Sequence, residues 1–310
     1  MRARDLLEYA IVLALVRVGC SMPLKASLDF GARLGDFAFS FLRLRRKIAL
    51  SNLKLAFGAE KTPEEIELIA RRTYRHFGRM LMEFARFPKL KPEDLAKLAT
   101  FSNFGLFEDV LGRGRGGILL SGHFGNWEMM GAAIAMRMGM PLNVLVARQR
   151  NRLVDDLINS FRLSFNINPV PVGISAKSIL RILKGGGVIG ILADQDSRGR
   201  GVFVDFMGRP ASTPKGPATI ALRMKVPVIT AFAVRVDAGY RIYFEEIEIP
   251  HDLKDDEEGI RFLTQTYTGV LERYVRMYPD QWFWMHRRWK TRPPERSEVQ
   301  GPKSKVEDRT

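Results

Sequence analysis

The sequence predicts an α/β protein: a largely parallel central sheet flanked by helices, with an N-terminal helical membrane-associating region. Three observations predict it. Beyond residue 100, short apolar runs alternate with helical stretches, the pattern of strand–helix–strand units. Before that point, residues 4–99 read as helical, with Gly, Pro and turn residues sparse. The chain also carries 49 Lys and Arg against 34 Asp and Glu, a formal net charge of +15 that favours anionic partners.

The elements follow in order. Tyr9 to Met22 is mostly apolar, but Arg17 interrupts it. The run falls short of the ~20 residues that span a bilayer. No small-residue cleavage site follows it, so a signal peptide is not expected; a helix lying on the membrane is favoured, with a spanning anchor as the lesser alternative. A second apolar stretch, Leu28 to Leu42, holds Phe30, Phe37, Phe39 and Phe41 and runs into Arg43, Arg45, Arg46 and Lys47. An apolar helix followed by a basic cluster suits an anionic membrane surface. Two ordinary core helices with a solvated charge run are the alternative. Thr62 is an N-cap, with Pro63 at the first helical position and Glu65 completing a capping box. That helix runs to about Phe87, before Pro88.

Residues 116–122, 141–147, 168–173, 187–193 and 226–234 read as buried strands, with helices near 127–138, 151–165 and 175–184 between them. Residues 240–249 alternate and read as an edge strand. A long helix is expected over about 255–277. From Arg292 the chain is rich in Pro, Ser and charge and reads as a disordered tail. The organisation is therefore a membrane-associating helical region (1–99), a catalytic α/β domain (100–291) and a tail (292–310).

A hydrophobic content of 46% supports a packed core. The single cysteine, Cys20, rules out an intramolecular disulfide and reads as packing. The charge leaves nucleic acid, anionic lipid, phosphorylated substrates and acidic proteins as partners. No helix-turn-helix, zinc or RNA-recognition signature supports the nucleic-acid reading.

In open parallel sheets, sites form at the carboxyl ends of the strands. His123 follows one predicted strand, Arg148 the next, and Asp194, Gln195 and Asp196 a third. In Ser121-Gly-His-Phe-Gly-Asn-Trp-Glu128, His123 and Glu128 are too far apart around one helix, about 140°, to share a face. They meet if His123 sits in the turn and Glu128 in the first helical turn, with Gly122 and Gly125 permitting the bend and Asn126 as N-cap. His123 then serves as general base toward an attacking alcohol, and Glu128 fixes its tautomer. The helix N-terminus offers backbone donors for an oxyanion. The spacing alone is weak: the composition yields about 0.4 chance matches, and His251 to Asp256 is a second instance with no strand feeding it.

Arg148 reads as a substrate contact or a solvated strand-end residue. Asp194 and Asp196 are assigned to orienting substrate or pairing with Arg148; Asp-x-Asp is a weak metal signal, and no metal or cofactor is expected. Ser121 lacks a nucleophile elbow and reads as a strand-end hydroxyl. The Gly/Pro-rich segment Phe203–Gly216 reads either as a loop over an acyl chain or a phosphate, with Thr213 and Gly216 as candidate substrate contacts, or equally as a plain connection. Trp282 to Lys290 mixes aromatics and cations in the manner of a membrane interface.

Taken together, S-G-H-F-G-N-W-E, Arg148, Asp194-Gln-Asp196, F-x-G-x-x-A-x-T-x-x-G (206–216) and P-x-Q-W-x-W-x-H-R-R-W-K (279–290), in that order, resemble the bacterial lipid A biosynthesis acyltransferases of the lysophospholipid acyltransferase superfamily. Ser51-Asn-Leu-Lys-Leu-Ala-Phe57 is similar to that family's N-terminal pattern. The resemblance implies transfer of an acyl chain from acyl carrier protein to a hydroxyl of a phosphorylated glycolipid, a lipid A precursor, at the cytoplasmic face of the bacterial inner membrane. It places the family's His–acid pair on His123 and Glu128, its arginine on Arg148 and its Asp-x-Asp on Asp194 and Asp196. Acylation of another glycolipid or a lysophospholipid is the nearest alternative, although the F-P-E-G-T-R block of glycerophospholipid enzymes is absent.

Overall fold

The computed structural model describes residues 2–237 and 239–294. The N-terminal part is helical: α1 (Ala3–Ser21), α2 (Leu24–Ser40), α3 (Arg46–Phe57), α4 (Pro63–Ala85) and α5 (Pro92–Leu98). Then follow β1 (Ala99–Phe101), α6 (Phe104–Gly112), β2 (Gly117–Ser121), α7 (Trp127–Met138), β3 (Leu142–Val146), α8 (Arg152–Leu163), β4 (Ile167–Pro171), α9 (Ala176–Lys184) and β5 (Val188–Leu192). The chain continues through β6 (Val202–Phe206), β7 (Arg209–Thr213), α10 (Gly216–Met224), β8 (Val228–Val236), β9 (Gly239–Ile247) and α11 (Glu257–Met277).

A 7-stranded sheet runs in the order β1-β9-β8-β2-β5-β3-β4. Every neighbouring pair is parallel except β8 and β9. β2 lies between β8 and β5 and all its residues are buried, which is why GILLS reads as a continuous apolar run. Its side chains alternate between the two faces. Leu119 joins Met129, Ala132 and Phe244 on one side, while Ile118 and Leu120 join Leu183, Leu222 and Leu263 on the other.

The 240–249 segment forms β9, but it is not an edge strand. The three-residue β1 pairs with it from Ala99 to Phe101 and takes the edge. So short a strand leaves no readable alternation, which explains why a continuous helical reading ran to residue 99. The 203–216 segment is likewise not a plain loop. β6 and β7 form a separate antiparallel hairpin with Met207 and Gly208, both at positive φ, in its turn.

α4 carries the expected capping box: Thr62 Oγ1 accepts from Glu65 N, and Thr62 N donates to Glu65 Oε2. α2 crosses α4 so closely that a Cβ on Gly31, Gly35 or Gly78 would collide with the other helix's backbone. The helical region is tied to the sheet by polar contacts as well as packing. Asn52 Nδ2 donates to the Trp284 carbonyl, and Arg235 forms two hydrogen bonds to the Glu83 carboxylate. Among the described residues, no helix is long and apolar enough to cross a membrane. The expected disordered tail falls, from residue 295 onward, outside the described residues.

Candidate active site

β2 delivers the chain to His123 through a turn that only a particular backbone allows. Gly125 has φ +57°, and a Cβ there would run into the Ala233 carbonyl of β8. Asn126 caps α7, its Oδ1 accepting from Met129 N at 2.9 Å, as its type and position predict. Asn126 Nδ2 donates to Glu83 of α4 at 2.9 Å, so the turn is also fixed from behind. The segment after α11 clamps it from the side: Gly125 N donates to the Gln281 carbonyl, and Phe283 N donates to the His123 carbonyl.

The carboxylate that meets His123 is Asp194, beyond the end of β5, not Glu128. Nδ1 of His123 lies 2.7 Å from Asp194 Oδ1, and the His123 backbone N–H donates to Asp194 Oδ2 at 2.8 Å. The Trp282 indole N–H donates to the same Oδ2 at 2.8 Å. Burial works to raise the Asp194 carboxyl, but the His123 charge, its two hydrogen bonds and the Trp282 indole outweigh it and hold the group at about 2. An ionised Asp194 accepting from Nδ1–H fixes the tautomer and leaves Nε2 of His123 with its lone pair. Asp194 is 2% exposed at its side chain and His123 24%, so the acid is sealed while the imidazole opens outward.

Glu128 lies in the first turn of α7 as expected, and it lines the same cavity as His123. Its carboxylate, however, is engaged by Arg162 of α8 through both Nε and Nη2. A bidentate guanidinium satisfies both carboxylate oxygens, and the imidazole has Asp194 instead. Glu128 and Arg162 together form one wall of the cavity.

That cavity has a volume of about 420 Å³. His123, Trp127 and Gln195 stand at its polar part, and Leu119, Met130, Leu142 and Ile167 line apolar wall. Gly131 of α7 and Gly190 of β5 also line it. The arrangement places an imidazole nitrogen beside a largely apolar cavity.

The other expected contacts fall differently. Arg148 is exposed beyond β3, flanked by the cavity-lining Ala147 and Gln149 but not itself in the lining; among the described residues it pairs with neither aspartate. Asp196 holds the chain's course after Trp289: it accepts from Arg198 N, Thr291 N and Thr291 Oγ1. Thr213 is fully buried, donating to the Ala211 carbonyl and accepting from Arg288 Nη2. Gly216 is the exposed first residue of α10. Ser121 Oγ donates to the Ala231 carbonyl on the neighbouring strand, as a strand-end hydroxyl does.

The Trp282–Lys290 segment is largely interior and not an interfacial belt. Trp282, Trp284 and Arg288 are among the largest fully buried side chains. Aromatic and cationic residues occur both at interfaces and in closely packed cores, so composition did not separate the two. Trp282, which holds Asp194, and Arg162, which holds Glu128, are the contacts that sequence reasoning missed. A Trp indole needs a partner when buried, and that rule alone pointed Trp282 toward an acceptor. Arg162 sits among the polar residues of an amphipathic helix and carried no signal. His251 is exposed in a turn after β9, away from the cavity.

Comparison with known proteins gives the same direction. Residues 2–291 match the family described as bacterial lipid A biosynthesis acyltransferase. The chain is 27% identical over 277 residues to the lipid A biosynthesis lauroyltransferase of Escherichia coli, covering 88% of each chain. It is 24% identical over 276 residues to the lipid A biosynthesis palmitoleoyltransferase of the same organism, covering 88% of this chain and 87% of the relative. It is 23% identical over 219 residues to a phosphatidylinositol mannoside acyltransferase of Mycobacterium tuberculosis, covering 69% and 67%.

Proposed function

Because the chain belongs to the bacterial lipid A biosynthesis acyltransferase family and is an acyltransferase, we propose that it moves a fatty acyl chain from a carrier-protein thioester to a hydroxyl of a lipid A precursor, with His123 as general base. The observation that carries this is the 2.7 Å contact between His123 Nδ1 and the sealed, ionised Asp194, with Nε2 left beside the apolar cavity. The acceptor hydroxyl gives its proton to Nε2 as its oxygen attacks the thioester carbon. Asp194 stabilises the imidazolium that forms, and the imidazolium then protonates the departing thiolate. The acyl chain lies along Leu119, Met130, Leu142 and Ile167. No acyl-enzyme is needed, since Ser121 is buried and hydrogen-bonded within the sheet and Cys20 sits on α1. Glu128 shapes the cavity through Arg162, and Arg148 stands near its rim toward anionic groups of donor or acceptor.

The donor in this reading is acyl carrier protein, an acidic partner matched to the +15 charge, and the acceptor is a phosphorylated glycolipid. The place is the cytoplasmic face of the bacterial inner membrane, with the N-terminal helices lying on its anionic surface. Supporting this, Phe41 is 76% exposed, Leu42 53% and Leu44 57%, interleaved with Arg43 and Arg45 and followed by Lys47. Acylation of a mannosylated phosphoinositide is the second reading, favoured by the mycobacterial relative.

The test is a matrix of purified protein, acyl carrier protein and coenzyme A thioesters, and lipid A precursor or phosphatidylinositol mannoside acceptors, read by mass spectrometry of the lipid product. Acylation of the lipid A precursor from the carrier protein is expected. Turnover confined to the mannoside would transfer the assignment to the second reading.

A further inference from the structure

Gln195 is held between two anchored neighbours. Asp194 accepts from the His123 backbone N–H and the Trp282 indole and contacts the imidazole, while Asp196 accepts from Thr291 and Arg198. Between these fixed points the Gln195 side chain reaches over the imidazole, its Nε2 3.3 Å from His123 Nε2 and 3.4 Å from Nδ1, and it lines the cavity. The ring decides which end of the amide faces it. With Nδ1–H directed at Asp194, His123 Nε2 offers a lone pair, so only the amide NH₂ of Gln195 complements it.

A thioester attacked beside Nε2 develops negative charge on its carbonyl oxygen, and that oxygen needs donors. Most N–H groups of the turn carrying His123 are already given away, which leaves, among the described residues, those of Trp127 and Glu128 at the N-terminus of α7 as backbone donors. The N–H of His123 is given to Asp194, that of Phe124 to the Gly122 carbonyl, that of Gly125 to the Gln281 carbonyl and that of Met129 to Asn126. Gln195 adds a side-chain amide donor beside the imidazole, at nearly equal distances from its two nitrogens.

We propose, resting on the acyl-transfer reading above, that Gln195 is a further catalytic residue: its amide caps Nε2 in the resting site and donates to the thioester oxyanion during transfer. The acceptor hydroxyl displaces the amide from Nε2. As its oxygen bonds to the carbonyl carbon, its proton passes to Nε2 and the carbonyl π pair moves onto oxygen, to which a Gln195 N–H donates. The oxyanion then re-forms the carbonyl, the C–S bond breaks, and the thiolate takes the proton from the imidazolium.

The experiment measures steady-state transfer from dodecanoyl-coenzyme A and from dodecanoyl-carrier protein to a lipid A precursor by wild-type protein, Gln195→Ala and Gln195→Glu. Dodecanoyl-coenzyme A binding is measured in parallel on each variant in a His123→Ala background that prevents turnover. Loss of one oxyanion donor lowers kcat by roughly 10²–10³-fold. Gln195→Glu, which keeps the shape, loses the NH₂ donor and adds a negative charge, falls at least as far. Donor affinity stays close to that of His123→Ala alone. Wild-type-like kcat in both variants, or a loss of activity matched by an equal loss of donor affinity, overturns the assignment while leaving the acyl-transfer reading intact. Absence of any acylated lipid with wild-type protein and either donor overturns both.

Discussion

Two histidines flank the turn between β2 and α7, and their surroundings differ in every respect that matters for chemistry. His76 of α4 is buried behind the turn, its Nε2 3.0 Å from the Gly125 carbonyl and its Nδ1 facing Arg235. Burial, with Arg235 adding to it, pushes that imidazole down to about 3. Around it Glu83, Arg235, Tyr240 and Asn126 satisfy one another. His123, on the other side, is held by a carboxylate at one nitrogen and opens into a cavity at the other. A polar network whose members satisfy one another fixes a backbone; a histidine whose Nε2 borders an apolar cavity, covered only by the Gln195 amide, can react. The same five-residue turn is made rigid by the first and given chemistry by the second.

The largest expected effect that sharpens this contrast is on rate. His123→Ala should lower acyl transfer by roughly 10²–10⁴-fold in a protein that still unfolds cooperatively, with a lowered thermal midpoint because the buried Asp194 loses a partner, measured by lipid product formation and calorimetry. A variant with near-wild-type turnover would remove His123 from the mechanism.

On the closed side the effect is on stability. Arg235→Met leaves Glu83 and Tyr240 without their cation, and Glu83 is buried. Losing one partner of a buried pair costs about 3–5 kcal/mol, read by urea denaturation. On the cavity side, Glu128→Gln and Arg162→Met should each destabilise in the same way, and the double variant should cost less than the sum of the two. Additive losses would mean that the two do not act as a pair.

A smaller effect is pH-dependent. His76 is held near 3 when folded and returns to about 6.5 when unfolded. Between those values the unfolded chain binds a proton that the folded chain does not, so this histidine's contribution falls as pH falls, by up to about 1.4 kcal/mol per pH unit. Above about 6.5 it is neutral in both states and adds no pH dependence. His76→Gln should therefore lose least, relative to wild type, at pH 4–5 and most at pH 7–8 in denaturation curves. A pH-independent difference would show that His76 titrates normally in the fold.

The smallest effect belongs to Ser121→Ala, which loses its hydrogen bond to the Ala231 carbonyl. A net cost near 1 kcal/mol with kcat unchanged is expected. Loss of turnover in a folded variant would reopen Ser121 as a nucleophile.

The two sides of the turn also differ in how legible they were. Strand periodicity placed β2, β3 and β5, and the strand-end rule brought His123 and Asp194 to one rim. Asn126 as N-cap followed from its side chain. The partner of His123 was misassigned because sequence proximity favoured Glu128, five residues away, whereas Asp194 is brought in by the β2–β5 pairing. Arg162 meets Glu128 from α8, Trp282 meets Asp194 from the segment after α11, and Glu83 meets Asn126 from α4, at separations where no periodicity reports contact. Thr213 looked like a ligand contact because its flanking Gly and Pro suggested an open loop. The β6–β7 hairpin instead turns its hydroxyl toward Arg288.

The central claim, that His123 and Asp194 act as one unit in direct acyl transfer, is tested most directly by a double-mutant cycle on the transfer rate. His123→Ala, Asp194→Asn and the double variant are compared with wild type, using acyl carrier protein thioester and lipid A precursor at saturating concentrations. Residues that act as a unit are strongly non-additive. Asp194→Asn should come within roughly tenfold of the His123→Ala loss, and the double variant should be no slower than His123→Ala alone. Near-wild-type turnover by Asp194→Asn, or a double variant slower by the product of the two single losses, would contradict the account.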